Sequence, residues 1–163
     1  MNVRSLVAEL PRKPLLDKLI DVFFANINWH YDIVERFYFD DLVSHWTGTI
    51  SGPIDYLSPK KYLQELRYFP ALLFQILAHS LQFLPPDSAV LRDMSESELK
   101  SSRRYSEIGN EIVEKLGRQG LALTAVQANL LRASLLKNVG RGTEAWFRLG
   151  DAIRYVYLIT SHT

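Results

Sequence analysis

A chain of 163 residues with 47% apolar and 23% charged residues can bury one real core, so disorder is not its default state. A net charge of +1 gives no basic footprint for nucleic acid. With no cysteine, disulfides, thiolate zinc sites and a cysteine nucleophile are excluded.

Residues 1–13 read as an N-terminal arm without the apolar stretch of a signal peptide. Leu6, Val7 and Leu10 could dock on the core, and Pro11 ends any helix there. Pro14 suits the first turn of a helix whose stripe is Leu15, Leu16, Leu19, Ile20, Phe23, Phe24 and Ile27, ending near residues 26–28. Trp29, Tyr31, Phe37, Tyr38, Phe39 and Trp46 follow on a turn and a helix over about 35–45. Aromatics this dense either wedge between helices or line a ligand pocket. Residues 48–57, with Gly52-Pro53, read as a surface loop. Ser58-Pro59 caps and opens a helix to about residue 68.

Pro70 disfavours helical geometry at Phe69, which predicts a kink or a new helix running to residue 84, where Pro85-Pro86 stops it. This apolar run is broken by Gln75, His79, Ser80 and Gln82, so it reads as the central buried helix and not as a membrane span. A linker over 87–94 leads to Ser95 and Glu98, a capping-box pair for a helix over 96–116. Leu99, Tyr105, Ile108, Ile112, Val113 and Leu116 would face inward. Lys100, Arg103 and Arg104 would face outward, balanced by Glu107 and Glu111 one turn away.

Residues 124–159 read as an αα-hairpin. Thr124 with Gln127 forms another capping-box pattern, and Val126, Leu130, Leu131, Leu135 and Leu136 recur at helical spacing. Gly140 and Gly142 tolerate the positive φ that ends a helix near Asn138. The second helix starts at Gly142 or Thr143, with Trp146, Leu149, Ile153, Val156 and Tyr157 as its expected buried stripe. Small Ala145, Gly150 and Ala152 would let another helix approach closely. Arg141 would either anchor helix C-terminal carbonyls or face a partner. The fold class is all-α, with six or seven helices in one domain.

Catalytic chemistry finds no constellation. His30, Asp32 and Glu35 lack the H-E-x-x-H arrangement of a metal site. Asp40-Asp41 with His45 reads as a solvated face, and His79 as a hydrogen-bonded core histidine. No nucleophile elbow, P-loop or dinucleotide fingerprint occurs, so no catalytic or metal-binding residue is assigned and the chain does not read as an enzyme. A helix–turn–helix DNA reader would need polar and basic residues where Ala145, Trp146 and Phe147 stand.

The run Gln127, Leu130, Leu131, Gly140-Arg141-Gly142, Ala145-Trp146, Leu149-Gly150 and Ala152-Ile153-Arg154 resembles the signature of the fungal-specific transcription factor domain, the middle homology region of fungal zinc-cluster regulators. The segment LLDKLIDVFFANINWHYDIVERFYF is similar to that family's opening helix and its aromatic N-W-x-Y segment. The resemblance runs from about residue 14 to residue 154 and implies a nuclear regulatory domain over 14–159, followed by a tail at 160–163. It implies work through protein partners, the rest of a larger transcription factor or a small-molecule effector, with no direct nucleic-acid contact and no membrane. Trp29, Tyr31 and Arg141 are then candidates for effector or partner contact, and the other motif residues are mainly structural. No cofactor is implied for this chain, since the family's zinc sits in a separate DNA-binding domain. Family members continue past the Ile153-Arg154 position into an Ala-Gln-Asp/Glu-Leu-Gly-Leu-His segment and further helices, so the domain is expected to be C-terminally incomplete here. The alternative is a tetratricopeptide-type interaction scaffold, because Trp146-x-x-Leu149-Gly150 fits the opening of that repeat, although no second copy follows at an offset of about 34 residues.

Overall fold

The computed structural model describes residues 2–48, 59–92, 94–95 and 100–161. Among them are eight α-helices and no strand. They are α1 (Val3–Val7), α2 (Lys13–Asn26), α3 (Arg36–Trp46), α4 (Pro59–Gln82), α5 (Ala89–Arg92), α6 (Ser101–Leu116), α7 (Leu123–Asn138) and α8 (Gly142–Thr160), with a 3-10 turn at Asn28–His30 between α2 and α3. Six of these have seven residues or more, close to the expected number. The Gly52-Pro53 loop, the Ser58 cap, Glu98 and Leu99 lie outside the described residues.

Helix α4 is the axis of the domain. Every residue from Tyr68 through Ser80 is buried, and α2, α3, α6 and α7 pack around it. Pro70 does not break this helix; it sits inside it. A proline in a helix interior costs about 3 kcal/mol. Phe69, Leu72, Leu73 and Phe74 are all fully buried around it, and each contributes roughly 1.5–3 kcal/mol of apolar transfer. Packing on all sides therefore outweighs the missing hydrogen bond. The arm also joins the core: Leu6 is fully buried, and the Arg104 guanidinium reaches back to Glu9 instead of pairing along its own helix. Arg103 does bond Glu107, as the i,i+4 spacing predicts.

Three long-range polar contacts fix how the helices meet. The first corrects the start of α7. Thr124 and Gln127 form no capping box, and the N-cap position is Ala122, whose side chain offers no oxygen. The buried Glu65 carboxylate of α4 accepts from the amides of Leu123 (3.0 Å) and Thr124 (2.9 Å), while Thr124 Oγ1 donates to the Glu65 carbonyl (3.0 Å). A carboxylate at a helix N-terminus satisfies orphan amides and complements the dipole. Gln127 Nε2 instead donates to the Ile33 carbonyl at 2.9 Å.

The second contact joins α4 to α6. Gln75 Nε2 donates to the Ser106 carbonyl (2.9 Å), and Ser106 Oγ donates to Gln75 Oε1 (2.8 Å). The third adds α7, since Arg132 Nη1 donates to Ser106 Oγ at 2.7 Å. This knot needs a close approach, and Gly109 provides it. A Cβ there would lie 2.6 Å from Gln75 Nε2 and 2.9 Å from the Ala71 carbonyl oxygen. The close approach expected at Gly150 is absent, because nothing lies within 4 Å of a Cβ built on that residue.

Candidate functional site

The turn between α7 and α8 closes on backbone groups. Gly140 has φ 80°, and the amides of Gly140 and Arg141 donate to the carbonyls of Lys137 (3.1 Å) and Leu136 (2.9 Å). Gly142 needs no positive φ; it is the first residue of α8. The last carbonyls of α7 are thus held by main chain, and Arg141 does not take the anchoring role. Its guanidinium grips Glu144 with two bonds, of 2.6 and 2.5 Å. That bond raises the Arg141 pKa and lowers that of Glu144. Both groups are solvated, where ion pairs contribute little.

Helix α8 presents a different face from the one its apolar spacing predicts. Its buried residues are Ala145, Ala152 and Tyr155. Trp146 is 74% exposed, Tyr157 69% and Phe147 66%, with Ile153 and Val156 also exposed. Leu149 and Gly150 are half-buried. The stripe is turned by about one residue, or roughly 100° of helix rotation. The cause is size: Ala145 and Ala152 let α8 lie flat on α7, whereas Trp146 and Ile153 on the same line would hold it away. Arg154 faces outward and bonds Asp151 at 2.9 Å, and Arg148 crosses to Glu114 of α6 at 3.0 Å.

The aromatic residues leading into and along α3 divide in the same way. Phe39 is buried and Trp46 packs on Phe69, whereas Trp29, Tyr31 and Phe37 are exposed. The loop carrying Trp29 and Tyr31 is held by Asn28, whose Nδ2 donates to the Val34 carbonyl (2.7 Å) and whose Oδ1 accepts from the Val34 amide (3.2 Å). Trp29 Nε1 donates to the Asn26 carbonyl at 3.0 Å. Tyr31 reaches α7, where its hydroxyl accepts from Lys137 Nζ at 2.9 Å and its ring lies 5.5 Å from that ammonium.

Two hollows flank this Tyr31–Lys137 contact. A deep cavity of about 420 Å³ lies between the 3-10 turn, the end of α4 and α7, with Phe23, Trp29, His79, Phe83 and Leu131 in its wall. A shallower hollow of about 520 Å³ lies between α7 and α8, walled by Leu130, Ala133, Ala145, Trp146 and Leu149. Tyr31, Ile33, Ser134 and Lys137 belong to both walls. Of the expected contact residues, Trp29 and Tyr31 therefore come together at a cavity, and Arg141 lies outside both hollows.

His79 is the residue that spacing undervalued. Its Nδ1 lies 3.0 Å from the Gln75 carbonyl. A carbonyl only accepts, so Nδ1 carries the proton and Nε2 is left as a bare acceptor. Nε2 is buried and has no partner. Burial lowers the imidazole pKa to about 4, which keeps the ring neutral. The expected core hydrogen bond is present, but nothing in the sequence could show the empty second nitrogen.

The remaining titratable sets stay apart. The Glu35 carboxylate caps α3 through the amides of Phe37 (2.9 Å) and Tyr38 (2.6 Å). His45 Nδ1 sits on the Asp41 carbonyl at 2.8 Å, and Asp40 pairs with Arg36 at 2.8 Å. Among the described residues no group of three His, Asp or Glu side chains could hold a metal ion, and no helix is long and apolar enough to cross a membrane. Comparison with protein families, curated proteins and solved structures finds no match to this chain.

Proposed function

We propose that this chain is a regulatory interaction domain of a fungal transcription factor, acting in the nucleus through protein contacts and not by reading DNA. The observation that carries the reading is the uncovered face of α8. Trp146 and Ile153 belong to the motif that resembles the fungal domain, and both are exposed beside Phe147 and Tyr157. Soluble proteins seldom leave contiguous large apolar residues in water unless a partner covers them. Trp and Tyr are also the residues that most often dominate interface energies. The hollow between α7 and α8 adds a recess beside Trp146 that an incoming side chain can fill. The partner is either the remainder of a larger regulator or a co-regulator protein, and the near-neutral charge fits a protein partner better than a nucleic acid.

The test fuses the chain to a heterologous DNA-binding domain and reads a reporter, with and without an activator segment in the same fusion. The expected result is altered reporter output that Trp146→Ala with Tyr157→Ala abolishes while the variant keeps its circular-dichroism spectrum. An unchanged reporter in both settings would count against the reading.

A further inference from the structure

The geometry points to a small-molecule site in the deep cavity, one that takes an aromatic monocarboxylic acid carrying an N–H or O–H donor on its ring. This site stands on the cavity alone and does not depend on the regulatory reading above. Four observations assign it. The first is size. A cavity of about 420 Å³ lies within the roughly 300–1,000 Å³ range of ligand pockets. The second is the wall, where the exposed Trp29 and Phe83 offer aromatic surface to a flat ring over the buried Phe23 and Leu131.

The third is charge. Among the described residues Lys137 is the only lysine or arginine in the wall, and no Asp or Glu lines it. Among the described residues no carboxylate stands within ion-pair distance of Lys137, whose ammonium has only the Tyr31 hydroxyl and ring for company. Ser134 and Asn138 flank it in the wall, where they add neutral hydrogen-bonding groups beside the cation. The end of the α7 dipole opposes an anion with roughly half a charge, and the full charge of Lys137 outweighs it.

The fourth is the bare acceptor. A buried acceptor left unpaired costs about 1–3 kcal/mol, and of the five buried polar side-chain atoms without a partner among the described residues, one belongs to a residue of this wall. His79 Nε2 is such an acceptor in a residue that lines the cavity. It cannot take a bond from a carboxylate or a carbonyl. It can take one only from a donor, which sets the requirement for an N–H or O–H on the ligand. Phe23 and Phe83 stand beside the His79 ring, with centroids 6.4 and 6.3 Å away, so an aromatic body would meet aromatic neighbours there.

Three probes separate these requirements: indole acetic acid has ring, donor and charge, naphthylacetic acid lacks the donor, and indole acetamide lacks the charge. The purified 163-residue chain is titrated with each by calorimetry, and the His79 ring nitrogens are followed by NMR. The expected result is that indole acetic acid binds, that either deletion weakens binding roughly tenfold, and that only the indole compounds move the Nε2 resonance. Lys137→Met alters an exposed side chain and should keep the parent's circular-dichroism spectrum. It should bring the acid down to the affinity of the amide. Absence of binding by both acids at millimolar concentration would overturn the proposal. So would equal affinity of parent and Lys137→Met for indole acetic acid, or an Nε2 resonance that indole acetic acid leaves unmoved.

Discussion

Two glycines in helix interiors make opposite predictions for the same substitution. In Gly109→Ala the new methyl meets Gln75 Nε2 at 2.6 Å and the Ala71 carbonyl oxygen at 2.9 Å. The backbone oxygen cannot yield without moving α4. Gln75 cannot yield without stretching its two bonds to Ser106, one of 2.9 Å and one of 2.8 Å. Overpacking of this kind costs about 1–3 kcal/mol, and each weakened buried hydrogen bond adds about 1 kcal/mol. Alanine returns about 1 kcal/mol through helix propensity. The net expectation is a loss of roughly 1–3 kcal/mol. Gly150→Ala places its methyl in open space within α8, so only the propensity term remains. That variant should gain about 0.5–1 kcal/mol. Urea titrations at neutral pH followed by circular dichroism measure both. In thermal melts each kcal/mol corresponds to roughly 2–4 °C for a chain of this size. A Gly109→Ala protein as stable as its parent would refute the packing of α4 on α6 and the polar knot built on it.

Other perturbations follow from single contacts. Glu65→Ala leaves the Leu123 and Thr124 amides without their carboxylate and should cost about 1–2 kcal/mol, read by urea denaturation. An unchanged midpoint would mean that α7 caps itself. His79 stays neutral in the folded state down to about pH 4, whereas the unfolded chain takes up the proton below 6.5. Stability is therefore fully present above pH 6.5 and is lost as the pH falls, by a total of about 3 kcal/mol at pH 4. His79→Phe should flatten that limb of the stability-pH profile, and an identical slope in both proteins would contradict the buried neutral ring. Trp146→Ala removes an exposed side chain and should shift stability by no more than about 0.5 kcal/mol, whereas Phe69→Ala in the core should cost about 3–5 kcal/mol. Similar losses in both variants would return Trp146 to the core.

Helix α4 was legible because an apolar run with few polar breaks has little choice but to be buried. The hairpin turn was legible because Gly140 supplies the backbone freedom that a helix end requires. Pro70 misled, because a local rule about the preceding residue takes no account of packing on every side. The face of α8 misled for a different reason. Trp146, Ile153 and Tyr157 recur at helical spacing whether they face a core or a partner, and periodicity cannot tell the two apart. What decides is the small pair Ala145 and Ala152, whose role depends on where α7 lies. The polar contacts were out of reach altogether. Glu65 meets Thr124 across 59 residues, and Gln75 meets Ser106 across 31. No local pattern marks either pair, and a glutamate on an amphipathic helix reads as solvent-facing until its partner is known. At the candidate site, Trp29 and Tyr31 could be singled out from their aromatic company. That His79 Nε2 is buried without a partner is visible only in three dimensions.

The Tyr31–Lys137 contact is a partition with a chamber on each side. On the proposed reading, an acid in the deep cavity would share the Lys137 ammonium with Tyr31. The ring of Tyr31 also belongs to the wall between α7 and α8. Two occupants that share a wall are linked wherever one changes the free energy of binding the other. Whatever factor the acid imposes on the affinity of a protein seated against Trp146, that protein must impose on the affinity of the acid. The same lysine would then act as a reciprocal valve between a chemical input and a protein output, with no moving domain between them.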